Sequence, residues 1–414
     1  MIKNTVLKQK EVKEQLLSLL YIERTKAVEA RKWLDSDLIK VVLGPRRAGK
    51  SVFSLMLLKD RPFAYFNFDD ESISEYEKFN YDELMGELKS VYGETKNILF
   101  DEIQNLPKWE LFVSRLHREG YNLILTGSNA RLLSKELSTA LTGRHIPIEI
   151  LPFDFKEFLC AKQHNDSPDD LLRLFGQYLV SGGYPEVTVK NLDPKEYLKV
   201  LFDSLLFKDV VKRHKVRFSE LIDSLGSYLI NNVSSQYSLR KLTSVLGFKS
   251  GVTLEKYMSY LTEAYITFSF HRYSFKAGER IKSPKKIYVV DNGFVTAKAV
   301  QFSPDNGKLL ENLVFTELVK QGLEPNREIF YYKTRNDREI DFVLKSGSAT
   351  DELIQVVYET NSPDTERREV KALLEASGEL GVKNLTILTW NEKKVVNEDG
   401  LTVNFVPAWE RFSI

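Results

Sequence analysis

From Leu38 to about Leu159, short apolar runs alternate with longer amphipathic stretches. Leu38-Ile39-Lys40-Val41-Val42-Leu43 and Phe63-Ala64-Tyr65-Phe66-Asn67-Phe68 read as buried strands, as do Asn97-Ile98-Leu99-Phe100 and Asn122-Leu123-Ile124-Leu125-Thr126. Between them, Val52 to Leu58 and Leu84 to Tyr92 read as helices. Strand alternating with helix predicts a parallel sheet covered by helices. Ile146 to Phe153 reads as the last strand, leading to a helix at Asp154, and the first 35 residues read as a helical lead-in with Leu16, Leu17, Leu19 and Leu20 on an apolar stripe.

The pattern then changes. A polar stretch, Lys162 to Asp170, precedes helices rich in Leu and Phe that break at Gly182-Gly183-Tyr184-Pro185. Leu239, Leu242, Val245 and Leu246 make an amphipathic helix ending at Gly247, and Ser250 caps a second one carrying Leu254, Tyr257, Met258 and Leu261. A β-rich hairpin, Ile266 to Tyr273, is expected next. Helix, tight turn, helix and hairpin make the winged-helix pattern, whose second helix can enter a major groove but in many proteins only packs against a partner domain. Its candidate contacts are Lys249, Thr253 and Lys256, joined by an upstream cluster that includes Lys212, Arg213, Lys215 and Arg217.

In the last third, Leu309 to Phe315 reads as a helix. Ile329 to Thr334 and Glu339 to Leu344 flank the turn Asn336-Asp337, and strands follow at Leu353 to Tyr358 and Asn384 to Trp390. The expected division is 1–160, 161–225, 226–280 and 281–414.

Two motifs carry chemistry. Gly44-Pro45-Arg46-Arg47-Ala48-Gly49-Lys50-Ser51 reads G-x-x-x-x-G-K-S and lies between a strand and a helix that opens near Val52. In that context the turn's N–H groups and the helix N-terminus cradle phosphates. Lys50 would reach the β- and γ-phosphates of a nucleoside triphosphate, and Ser51 would hold Mg²⁺. Asp101 and Glu102 end the third strand, where open α/β sheets place their ligands. Asp101 is the second candidate for the metal and Glu102 the base for the attacking water. At the tip of the fourth strand, Ser128 and Asn129 are candidate γ-phosphate sensors, with Asn129 preferred. Arg144 is a candidate arginine finger, with a surface ion pair as its alternative.

Composition narrows the partners. The 414 residues suffice for two or three domains, and 43% hydrophobic with 28% charged residues fits globular domains. With 59 basic and 58 acidic residues no bulk field favours nucleic acid, so any such binding needs a local patch. A single cysteine, Cys160, excludes an internal disulfide. No signal-peptide core opens the chain and no apolar run approaches the ~20 residues of a membrane span, so a soluble, cytoplasmic protein is expected.

Taken together, the motifs resemble a family of archaeal and bacterial AAA-type ATPases with a C-terminal domain of unknown function. Besides the two motifs above, the resemblance rests on Leu125-Thr126-Gly127-Ser128-Asn129, Leu151-Pro152-Phe153-Asp154-Phe155, Ser181-Gly182-Gly183-Tyr184-Pro185-Glu186, Leu310-Glu311-Asn312-Leu313-Val314 and Arg338-Glu339-Ile340-Asp341-Phe342. It implies ATP as the nucleotide and a three-layer α/β P-loop ATPase core. A helical and winged-helix region and a C-terminal α/β restriction-endonuclease-like domain would follow. A nuclease of that type holds Mg²⁺ between an Asp and a Glu, with a Lys polarising the water. Glu311 and Asp341 match the acids, but Gln355-Val356-Val357 puts a valine at the lysine position. Three readings stay open: a DNA-associated ATPase of weak sequence specificity, a nucleotide-gated switch with a protein partner or its own homo-oligomer, and an ATP-regulated nuclease, which Val357 disfavours.

Overall fold

The computed structural model describes residues 2–75, 80–128, 143–162, 164–299, 305–347, 349–359 and 363–413. The chain divides into two compact units, Met1–Pro152 with Glu263–Tyr265, and Phe153–Thr262 with Ile266–Ile414. The first ends earlier than the expected residue 160, because the helix Phe155–Ala161 belongs to the second unit.

The first unit is built on five parallel strands: β1 (Ile39–Leu43), β2 (Phe63–Asn67), β3 (Asn97–Asp101), β4 (Asn122–Gly127) and β5 (His145–Glu149), in the order β2-β3-β4-β1-β5. Every residue of β1 is buried, which explains its near-continuous apolar run. The exception is Lys40, whose ammonium donates to the Ser36 carbonyl at 2.7 Å and to Asn122 Oδ1 at 2.8 Å. Helix Lys50–Leu58 turns Phe53, Leu57 and Leu58 into a core shared with Val42, Leu99, Ile124 and Ile150. That core fixes where the strands end, and the chemistry lies at their C-terminal ends.

In the second unit, the break at Gly182-Gly183 has a steric cause. Asp291 accepts hydrogen bonds from the peptide N–H of Gly183 (2.8 Å) and of Gly293 (2.9 Å). A Cβ on Gly182 would fall 1.7 Å from Asp291 Oδ1, and Gly182 has φ +70°. Only glycine fits there.

Next come helix Ser219–Asn231, β6 (Gln236–Tyr237), helices Leu239–Val245 and Gly251–Glu263, β7 (Thr267–Phe270), a short helix Ala277–Lys282 and β8 (Lys285–Val289). Ser238 and Ser250 cap the two middle helices, accepting from Lys241 and Thr253 N–H. The sheet order is β6-β8-β7, antiparallel throughout. Thus the expected hairpin within 266–273 is absent: the partner of β7 is β8, beyond the expected boundary at 280.

The C-terminal sheet has six strands in the order β13-β14-β12-β11-β10-β9. The strands β9 (Ile329–Lys333), β10 (Glu339–Ser346) and β11 (Ala349–Val357) form an antiparallel meander. Helix Pro363–Leu380 then leads to β12 (Leu385–Thr389), parallel to β11. A hairpin of β13 (Lys394–Glu398) and β14 (Leu401–Pro407) completes the edge.

Candidate functional site

β1 delivers the chain into the glycine loop, and both glycines are forced. Gly44 has φ +147°, and a Cβ there would lie 1.9 Å from the Ile150 carbonyl oxygen. Gly49, at φ +92°, is the left-handed N-cap of helix Lys50–Leu58. Arg47 also adopts a positive φ of 65°. Together these turns gather peptide N–H groups at a helix N-terminus, an anion-binding arrangement. Lys50 is 4% exposed; its ammonium donates to the Pro45 carbonyl at 2.9 Å and stands 3.9 Å from Glu102 Oε1.

The end of β3 faces the loop. Ser51 Oγ donates to Asp101 Oδ1 at 2.9 Å, Tyr65 OH donates to Asp101 Oδ2 at 3.3 Å, and Thr126 Oγ1 donates to Asp101 Oδ1. Burial pushes the Asp101 carboxyl above its usual range, opposed by the hydrogen bonds from Thr126 and Ser51. Thr126 Oγ1 also accepts the Glu102 N–H at 2.9 Å, tying β4 to both acids. Glu102 sits in the left-handed region at φ 50°, uncommon for a side chain of its size, and Gln104 Nε2 donates to its Oε2.

The structure therefore brings together Gly44–Ser51, Asp101 and Glu102. Sequence reading missed Thr126, Gln104, Tyr65 and Arg24. Arg24 donates to the loop carbonyl of Ala48 at 2.8 Å and to the Leu151 carbonyl at 2.6 Å, bracing the loop from outside. The candidate Asn129 lies outside the described residues. Arg144 is exposed at the start of β5, its carbonyl accepting from Ile39 N–H at the N-terminal end of β1. Since β1 spans about 16 Å at ~3.3 Å per residue, Arg144 is at the sheet end opposite its own glycine loop, which excludes it as a finger for its own subunit's nucleotide.

Among the DNA-contact candidates, Lys215, Lys249 and Lys256 are exposed. Arg213 is a correction: its side chain is 16% exposed and lies 3.4 Å from the buried Asp209, so its charge serves the fold. The two basic segments meet, because His214 stacks on Tyr260 at 3.7 Å and Lys256 lies 5.9 Å from the same ring.

At the C-terminal acids, the ammonium of Lys286 on β8 lies 2.7 Å from Glu311 Oε1, 2.6 Å from Glu339 Oε1 and 2.9 Å from Asp341 Oδ1. Burial alone would lower the Lys286 pKa, but Asp341 and Glu311 hold it well above the lysine value. Burial pushes the Glu311 carboxyl up to about 8, against the pull of Lys286. Asp341 accepts from the Val356 N–H at 3.0 Å; Gln355 Oε1 accepts the Asp341 peptide N–H at 3.2 Å while its Nε2 donates to Glu369 Oε2 at 2.7 Å. Val357 is buried.

An AAA-domain profile matches residues 36–159, and profiles for domains of unknown function, DUF8612 and DUF4143, match 172–305 and 306–409. An uncharacterized protein of Methanocaldococcus jannaschii is 36% identical over 395 residues, covering 90% of this chain and 87% of its own. An uncharacterized protein of Haemophilus influenzae is 28% identical over 397 residues, covering 91% and 94%. Among solved structures, a Walker-type ATPase of Pyrococcus abyssi aligns with a TM-score of 0.49 and 18% identity, over 69% of this chain and 100% of that one. No helix among the described residues is long and apolar enough to cross a membrane. The chain belongs to the same family as the Methanocaldococcus protein, with an AAA-type P-loop ATPase domain followed by two domains of unknown function.

Proposed function

We propose that the chain is a Mg²⁺-dependent ATP hydrolase acting as a nucleotide-driven switch or motor on DNA. The observation that carries the hydrolase reading is the meeting of Lys50, Ser51, Asp101, Glu102 and Thr126 at one sheet edge. The loop N–H groups bind the phosphates, and Lys50 exchanges the Pro45 carbonyl for a phosphate oxygen. Ser51 and Asp101, a hydroxyl and a carboxylate 2.9 Å apart, suit a hard cation and would hold Mg²⁺. When bound, that ion neutralises charge on the β- and γ-phosphate oxygens. Glu102, oriented by Gln104, accepts a proton from water as its oxygen attacks the γ-phosphorus and the bond to the bridging oxygen breaks. ATP is chosen over other triphosphates on the family resemblance.

For DNA, the support is the helix-strand-helix-helix-strand-helix-strand order from Ser219 to Val289, which we read as a winged helix, together with the exposed Lys249 and the exposed Lys215 and Lys256 beside the Tyr260–His214 stack. Arg144 fits only as a finger for a neighbouring subunit, which adds a homo-oligomer to the proposal. Arg144→Ala protein that hydrolyses ATP as wild type does would remove that role.

The hydrolase test is Glu102→Gln. It should bind ATP and hold it unhydrolysed, with turnover down about 10²–10⁴-fold; full turnover in that variant would sink the assignment. DNA affinity that falls steeply with salt separates a DNA partner from a protein partner, because phosphate contacts release counterions.

A further inference from the structure

Glu311 stands on helix Asn306–Lys320, and Glu339 and Asp341 are two residues apart on β10. All three carboxylates turn toward one point, and that point is already taken by the Lys286 ammonium, whose side chain is 2% exposed. The remaining donors there come from the three-stranded sheet as well: Tyr288 OH donates to Glu311 Oε1 at 2.6 Å, and Gln236 Nε2 donates to Glu339 Oε2. Asp341 is additionally fixed by the Val356 N–H.

The Lys286 ammonium and the Asp341 carboxyl are buried, with Glu311 largely covered and Glu339 partly exposed at the rim. Buried charge of that kind is retained only when paired and hydrogen-bonded. Carboxylate oxygens accepting at 2.6–2.9 Å suit an ammonium, whereas a divalent ion needs contraction to about 2.0–2.6 Å. Among the described residues no group of three or more His, Cys, Asp or Glu is arranged to hold a metal ion.

We propose that Lys286 is the resident cation of this carboxylate cluster, standing where Glu311, Glu339 and Asp341 would otherwise bind a divalent ion. The site is thereby closed to metal and converted into an ionic lock between the three-stranded and six-stranded sheets. Its positive charge comes from β8, 25 positions before Glu311 and 55 before Asp341. This proposal is independent of the ATPase reading.

The test uses the full chain without nucleotide, with Mn²⁺ as the probe, followed by electron paramagnetic resonance and calorimetry. Lys286→Met keeps the stem and removes the charge. It should gain one Mn²⁺ site that wild type lacks, and Asp341→Asn in the same background should cancel the gain. Wild-type protein that binds Mn²⁺ at a site lost with Asp341→Asn would overturn the proposal, as would DNA cleavage by wild type lost in the same variant. A folded Lys286→Met protein that binds no Mn²⁺ would overturn it too. If Lys286→Met does not fold alone, refolding in Mn²⁺ or Ca²⁺ should restore its circular dichroism; failure with both ions also overturns the proposal.

Discussion

Among the described residues, Lys50 and Lys286 are both buried beside carboxylates, and their surroundings differ. Lys50 donates to a carbonyl of its own loop at 2.9 Å and stands 3.9 Å from Glu102 Oε1. Lys286 has three carboxylate oxygens within 2.9 Å. A phosphate oxygen can replace a neutral carbonyl and improve the lysine's interaction, because a charge-assisted hydrogen bond is roughly twice as strong as a neutral one. No ligand can improve on three carboxylates. A neutral, displaceable carbonyl partner at Lys50, against three carboxylates at Lys286, therefore separates a lysine poised for a ligand from one that holds the fold.

The sharpest way to break the contrast is to remove each charge and ask which property disappears. Lys286→Met should cost about 3–5 kcal/mol of stability by leaving buried carboxylates uncompensated, read as a shift in denaturant midpoint, while folded protein keeps its ATP turnover. Lys50→Ala should do the opposite. Turnover should fall by about 10²–10³-fold or vanish, and ATP should no longer raise the melting temperature, with the nucleotide-free midpoint little changed. If both variants lose both properties, the two lysines do not differ as described.

A smaller effect sharpens the P-loop side. Thr126 donates to Asp101 and accepts from the Glu102 N–H, so Thr126→Val removes two hydrogen bonds and leaves a buried carboxylate short of a donor. The expected cost is about 1–3 kcal/mol, seen as reduced turnover with nucleotide affinity largely kept. Unchanged turnover would make Thr126 a strand residue without a role in positioning the acids.

What the sequence disclosed follows the range of the interactions. The glycine loop is legible because its backbone turns are local: Gly44 and Gly49 are needed where a strand hands over to a helix. Asp101 and Glu102 are legible because a strand's end is local too. Thr126 was visible as the end of β4, but its hydrogen bond to Asp101 depends on which strand lies beside which, and β3 pairs with β4 across 25 positions. Arg24 reaches Leu151 across 127 positions and left no periodic trace. Lys286 shares a strand face with Tyr288, a hint that the face is partnered, but nothing nearby in sequence names its acids. The hairpin β13–β14 went unread although Asp399-Gly400, with φ of 52° and 74°, is a strong hairpin turn.

The weakest expected effect concerns the surface where DNA would touch, and it extends the same contrast to the basic patch. Arg213 is engaged with Asp209, whereas Lys215, Lys249 and Lys256 are exposed. Reversing Arg213 would place two acids together in a largely buried spot and damage the fold, so weaker DNA binding there would say nothing about direct recognition. Charge reversal at Lys215, Lys249 and Lys256 avoids that confusion. Phosphate contacts position a protein without reading sequence, so the triple variant should bind all DNA sequences more weakly. Its log-affinity against log-salt slope should flatten by roughly one unit for each phosphate that is no longer neutralised. ATP turnover without DNA should stay at the wild-type rate, since none of the three belongs to the glycine loop. Wild-type affinity with an unchanged salt slope would remove this patch from the proposal and leave a protein partner as the better reading.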